Sequence, residues 1–416
     1  MNEYSGINVR CTVKIEDGDD LSESITFLRW KSFINDGYML MVRVHDPNLT
    51  QYEQITNEKY LKDARKKPLK ISFKIGHMTG GDDAKIETEE RIAYMTNLDV
   101  VMPEGGQTAG DFVFIAIDPP TWFLNRGDSD GSVWTGKVST VIKDVISRYA
   151  PDIEADVSDT NDSDTNKWWM LRQDPKTFIM TLIDWSSSVT KQKTNWIIAS
   201  VDEKIIVREQ AELPSEDLGH YTVNDNYPVA VNVIKWQRED NNYLSNIQTS
   251  VMTAGISAVS GLYCDDKNTK NSTVVNDNNT PDKKNVDLQN DQGFLKPDDL
   301  DNGWTFVRSV PEHSAGDVGI KYQDYIDGRA RALYLGGLDM LNKIKIVVAG
   351  CTKIDNSSLL GASTVYLTWT NSHYEPWTHN GKWMVYGFEH IYTPSKEWYT
   401  HLYLNRKDVD ANAQKI

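Results

Sequence analysis

Cysteine is almost missing: Cys11, Cys264 and Cys351 are the only three in 416 residues, odd in number and far apart. That argues against a disulfide framework and gives no metal-type spacing, so they read as small buried or neutral residues. No run of about 18 apolar residues occurs, which removes a membrane-spanning helix. The first residues are acidic and polar and pass at once into a strand pattern. They lack the basic-then-apolar layout of a secretory signal, so assembly in a cytoplasm is expected. Cations are outnumbered: 44 Lys and Arg face 60 Asp and Glu, a net charge of −16. Such a surface repels phosphate and argues against specific nucleic-acid readout. It suits plain solubility, or a conduit along which DNA slides without sticking.

Catalytic signatures are missing as well. There is no Gly-Lys-Ser/Thr phosphate loop, no His-Glu-x-x-His and no Gly-x-Ser-x-Gly. Asp128-Ser129-Asp130-Gly131 opens like a calcium loop but lacks the glycine position and the closing Glu, so it reads as a turn. Ser188-Val189-Thr190-Lys191 fits Ser-x-x-Lys without its companion motifs and reads as a helix end. His373, His379, His390 and His401 gather in the last third. His390 and His401 fall on opposite arms of the final hairpin, but a metal would need two or three further converging ligands. Ordinary strand and turn histidines are the preferred reading. Asp and Glu are too frequent to single out a glycosidase-type carboxylate pair. No catalytic, cofactor-binding or metal residue is assigned, no cofactor is expected, and no enzyme is expected.

What is present is a globular composition, 39% hydrophobic and 25% charged, with 13 Trp and 19 Tyr for cores, interfaces or ligand faces. Ile7, Val9, Cys11, Val13 and Ile15 alternate with polar residues, the period of a half-buried strand. Further strands are expected at Ser24–Phe33, Tyr38–His45, Leu69–His77, Ile86–Val101 and Asp111–Ile117. Turn signals such as Asn35-Asp36-Gly37 separate them, while Gln51–Lys67 is polar and reads as loop with room for one helical turn. Residues 1–118 thus read as a small barrel or sandwich.

Asp118-Pro119-Pro120 marks a boundary. Val138, Val141, Ile142, Val145, Ile146 and Tyr149 then follow helical spacing, stopped by Pro151. Asp156–Lys167 is polar loop. Asp174 reads as an N-cap with Pro175 at the first helical position. Asn195–Ser200 and Lys204–Arg208 read as a hairpin. Residues 119–215 form an α+β insert.

Strand returns at 229–236, opening a second β block over 216–264. Residues 265–302 are dense in Asp, Asn and Lys and read as a polar excursion. The block resumes over 303–416. It holds Trp304–Val310 and a helix with Ile326, Ala330, Leu333, Gly337 and Leu341 on one face. Strands follow at Lys343–Thr352 and Ser363–Thr370, and a hairpin pairs Lys382–Tyr392 with Trp398–Arg406. The fold class is therefore α+β, mainly β.

Lys382-Trp383-Met384-Val385-Tyr386-Gly387-Phe388-Glu389-His390-Ile391, a turn, and Thr400-His401-Leu402-Tyr403-Leu404-Asn405-Arg406 resemble the closing hairpin of the central baseplate hub of contractile-tailed phages. The helix–strand unit Tyr325–Gly350, the helix Val138–Pro151 and the helix Pro175–Ser188 resemble that family too. The likeness covers most of the chain, and the family is similar to the upper part of type VI secretion spike proteins. It implies two tail-tube-like β-barrels per chain, interrupted by the insert. It also implies a homotrimer that joins a six-fold tail tube to a three-fold central spike around a DNA channel. The implied partners are the spike, the tail tube protein or tube initiator, and baseplate wedge proteins, all in a virion tail. Trp383, Val385, Phe388, His401 and Tyr403 become candidate interface or barrel-packing positions. Two other classes stay open: a tail-associated cell-wall or polysaccharide hydrolase, and a receptor- or carbohydrate-binding tail module.

Overall fold

The computed structural model describes residues 8–57, 68–78, 85–101, 110–126, 131–170, 173–186, 196–209, 216–223, 233–238, 258–264, 269–275, 307–310, 342–356, 363–369 and 380–406, apart from the single positions 17, 19, 161, 163, 166 and 396.

Alternating side chains build the first β block. β1 (Asn8–Ile15) buries Cys11, Val13 and Ile15 and pairs with β4 (Lys70–Met78), which buries Ile71, Phe73 and Ile75. β2 (Ile25–Phe33) and β3 (Gly37–His45) form a hairpin. Its turn needs left-handed backbone at Asn35 (φ 69°) and Gly37 (φ 79°). A Cβ on Gly37 would run into the Asp118 carboxylate. A short helix, α1 (Thr50–Thr56), follows. The expected strand 86–101 is split into β5 (Lys85–Glu87) and β6 (Arg91–Val101). Thr88 causes the break: its N–H donates to Ile75 O and its hydroxyl accepts from Ile75 N. β7 (Asp111–Ile117) then pairs with β3 and β6.

The insert starts at α2 (Pro119–Leu124), capped by Asp118 and opened by prolines. β8 (Val133–Thr135) leads into α3 (Val138–Tyr149). Asp162 and Thr160 cap α3 from a later loop, accepting from the N–H groups of Val138 and Ser139 at 2.8 and 3.0 Å. β9 (Glu154–Val157), β10 (Lys167–Trp169) and α4 (Pro175–Ser186) follow. Asp174 caps α4 by accepting from Thr177 N at 2.8 Å, the cap expected from the sequence. β11 (Trp196–Val201) and β12 (Lys204–Glu209) form the expected hairpin, and β12 pairs in parallel with β9. The buried stripe of α3 meets Phe178, Ile179 and Leu182 of α4 and the hairpin's Ile198 and Val207 in a separate core.

The second block holds β13 (Asp217–Val223), β14 (Val233–Arg238), β15 (Ala258–Cys264), β16 (Thr269–Val275), β17 (Val307–Val310), β18 (Asn342–Ala349), β19 (Thr364–Trp369), β20 (Gly381–Tyr392) and β21 (Trp398–Arg406). β16, β15 and β17 make a small sheet of their own. β16 lies inside the stretch expected as polar excursion; the rest of 265–302 lies outside the described residues, as does the helix expected over 326–341.

The chain is mainly β with an α+β insert, the class read from the sequence. The two β blocks do not stand apart. Among the described residues thirteen strands make one sheet, whose main path is β1-β4-β6-β7-β3-β2-β20-β21-β18-β14. β20 is the seam: its first four residues pair with β19, Gly387–Tyr392 pair with β2, and β21 lies along its other edge. One hydrophobic cluster runs from Cys11 through Trp30 and Phe388 to Leu404. Closure of either block into a barrel is not seen among the described residues.

Candidate functional site

Three of the five hairpin positions singled out by the sequence point into the core. Trp383, Val385 and Phe388 are 1%, 0% and 0% exposed, and Phe388 meets Trp30 edge-on at 5.1 Å. His401 and Tyr403 point to the opposite face, where both reach Glu389.

Glu389 is a buried carboxylate that the sequence reading did not single out. It accepts from Arg29 Nε, from His401 Nδ1 at 2.9 Å and from the Tyr403 hydroxyl at 3.1 Å, with Lys345 Nζ at 4.0 Å. Burial pushes its pKa up, but the hydrogen bonds from His401 and Arg29 and their charge outweigh that and bring it down to about 2. Arg29 comes from the first block and the other groups from the second, so the cluster ties the β2–β20 seam on its outer side.

His390, one residue on, belongs to the inner face and is treated in the opposite way. It is fully buried and held neutral: burial takes its pKa down to about 4. Nε2–H donates to Ile354 O at 2.7 Å, while Nδ1 accepts from the Trp398 indole at 3.1 Å and lies 2.9 Å from the Thr400 hydroxyl. Both ring nitrogens are engaged, which leaves none for a metal. His401 pairs with Glu389 rather than His390, so the expected histidine pair is one register step off. His373 and His379 lie outside the described residues, as do 127–130 and 187–191. No group of three metal-type side chains converges among the described residues.

A second charged cluster joins all three segments. Arg91 opens β6 with a guanidinium 4% exposed. It meets Asp202 of the β11–β12 turn at 3.1 Å, Asp355 of the second block at 2.7 Å and Glu89 at 2.6 Å. Burial would lower its pKa; Asp355 and Asp202 hold it above the ordinary arginine value. The Asp202 carboxylate also accepts from Ile92 N at 2.9 Å. Beside it Lys70 and Tyr94 both reach Glu203 of the insert, at 2.9 and 3.0 Å. On the other side of the insert, Asn35 exchanges two bonds with the Ile198 backbone, and Lys176 donates to Asp36 O at 2.9 Å. The insert is therefore pinned to the sheet at two places. Sequence spacing could not show this, because Arg91 and Asp355 lie 264 positions apart.

Trp169 at 41% is the only strongly exposed large aromatic among the described residues.

No protein-family model matches the chain, and no curated protein matches it in sequence. Solved structures do match in fold. A tail protein from Neisseria meningitidis MC58 aligns over 97% of this chain and 98% of its own, at TM-score 0.58 and 8% identity. The 43 kDa tail protein of prophage MuSo2 from Shewanella oneidensis aligns over 96% and 99%, at TM-score 0.55 and 8% identity. A chain of the Francisella PdpA-VgrG complex aligns over all of this chain and 60% of its own, at TM-score 0.51 and 9% identity. The fold is that of phage-type tail proteins, as the hairpin resemblance implied.

Proposed function

We propose, from a fold shared end to end with tail proteins, that this chain is a structural hub of a contractile tail. Three copies would form a ring that seats a three-fold central spike on one side and a six-fold tail tube on the other, with the DNA passage through its middle. The role is mechanical: nucleate the tube, hold the spike, and release it on contraction.

The observation that carries this reading is the seam. Two β blocks from opposite ends of the sequence are zipped through β2 and β20 into one sheet, over one core. A ring built from such chains presents two β units per subunit, and a closed heterologous ring can match a partner of twice its order. The Arg91 and Glu389 clusters fix the segments against each other, as a part that transmits load requires. Likeness to a chain of a VgrG complex supports a spike partner.

Light scattering and negative-stain microscopy of the purified protein test this. A three-fold ring with a central opening is the expected result. A monomer at every concentration, alone and with tube and spike proteins, would sink it.

A further inference from the structure

On β2, β3, β20, β21 and β18 the sheet face opposite the core is partly exposed around the buried Glu389 and Tyr403. Strand pairing sets its rows: Met39, Lys31, Glu389 and His401 lie side by side in one, and Met41, Arg29, Ile391 and Tyr399 in the next. With β7 this makes six strands, roughly 24 Å across. The Arg29 side chain is 39% exposed and that of Lys345 23%.

Arg29, Lys31, Lys343 and Lys345 gather on this face, in a chain whose net charge is −16. Phe33, Tyr386 and Tyr403 touch one another, with ring centres 4.8 to 6.2 Å apart. A lysine rides on each ring: Lys31 over Phe33 at 4.7 Å, Lys343 over Tyr386 at 5.0 Å and Lys345 over Tyr403 at 4.9 Å. The carboxylate at the centre, Glu389, is already engaged by Arg29 and His401.

Charge complementarity calls for an anionic occupant, either nucleic acid or an acidic polypeptide. Protein interfaces are depleted in lysine, whereas a cluster of lysines neutralises the phosphates of a duplex. Lys343 and Lys345 are two residues apart on one strand, which spaces their charges at roughly 7 Å. We propose that this face touches the phosphate backbone of passing DNA, weakly and without reading sequence. The inference rests on the conduit reading and supplies its wall. The net negative charge of the chain, and Glu389 in the middle of the basic strip, keep the contact weak.

The test is fluorescence anisotropy of a labelled mixed-sequence DNA duplex, in low and in physiological salt. The proteins are the full chain, K31E/K343E/K345E and the milder K31Q/K343Q/K345Q, each shown by thermal melting to be folded. The full chain is expected to bind in low salt and to release the duplex as salt rises. Either variant should bind roughly tenfold or more weakly, with a salt slope smaller by about 3. Absence of binding by the full chain in low salt, or equal binding by the folded variants, overturns the proposal. So does tighter binding of labelled poly-L-glutamate than of the duplex, which would assign the face to an acidic polypeptide. A ring that forms but ignores DNA removes this inference and leaves the hub; a monomer that binds through these lysines does the reverse.

Discussion

Arg91 and Glu389 are mirror images. One is a buried cation among carboxylates, the other a buried anion among cations, and each bridges segments far apart in sequence. Their settings differ. Arg91 is 4% exposed and closes a joint between three segments, with two of its carboxylates, Asp202 and Asp355, mostly buried. The cations around Glu389 stand on an open face, and Arg29 is 39% exposed. A buried charge that loses its partners is costly, whereas partners open to water recover hydration. The lesson is that both clusters tie segments together, but the second, whose cations reach water, tolerates change better and can also face a ligand.

The largest effect is expected from Arg91→Met. It takes the cation away from Asp202 and Asp355 at the joint and should cost about 3–5 kcal/mol. Hydrogen exchange should show amides of β6 and of the β11–β12 turn losing protection before the rest of the sheet. If the loss were spread evenly, Arg91 would not be a joint.

Next comes the pH response of His390. Its pKa in the folded protein lies below that of an ordinary histidine, so the unfolded chain binds the proton first. Its contribution is complete above about pH 6.5 and is lost as pH falls toward about 4. The loss should be on the order of 3 kcal/mol. Denaturant titrations across that window should find this slope in the wild type and a flatter one in His390→Phe, whatever the variant's stability at neutral pH.

Glu389→Gln should matter least, about 1–3 kcal/mol at neutral pH. Glu389 also has a depressed pKa, so its contribution is present above about pH 4.5 and fades as pH falls toward about 2. The variant should therefore converge with wild type in strong acid. A cost above that of Arg91→Met would invert the comparison.

Local structure was legible in the sequence wherever side chains repeat with one period. The alternation of β1, the buried face of α3, the Asp174 cap and the final hairpin all follow from residues within a few positions of each other. The seam did not follow, because β2 pairs as well with β20 as any edge strand would, and no local signal picks the partner. Glu389 was hidden for a related reason: it occupies the polar phase of its strand, where a glutamate is unremarked. Arg91 did leave a trace. It pairs with Phe73 while Ala93 pairs with Ile71, so a charge stands in register with core residues. A cation on the apolar phase of a strand needs buried acids, although the sequence does not say which.

The seam has a consequence for how the protein is made. Arg29 and Glu389 are 360 positions apart, so one edge of β2 stays unpaired until that whole intervening length has been synthesised. At ordinary rates of translation that wait lasts roughly 20–70 s. Throughout it the nascent chain carries an open strand edge beside a half-built core, a template for pairing with its neighbours on the same message. Loss of the last two strands would make that exposure permanent, so damage near the carboxyl end should send the amino-terminal half into aggregates.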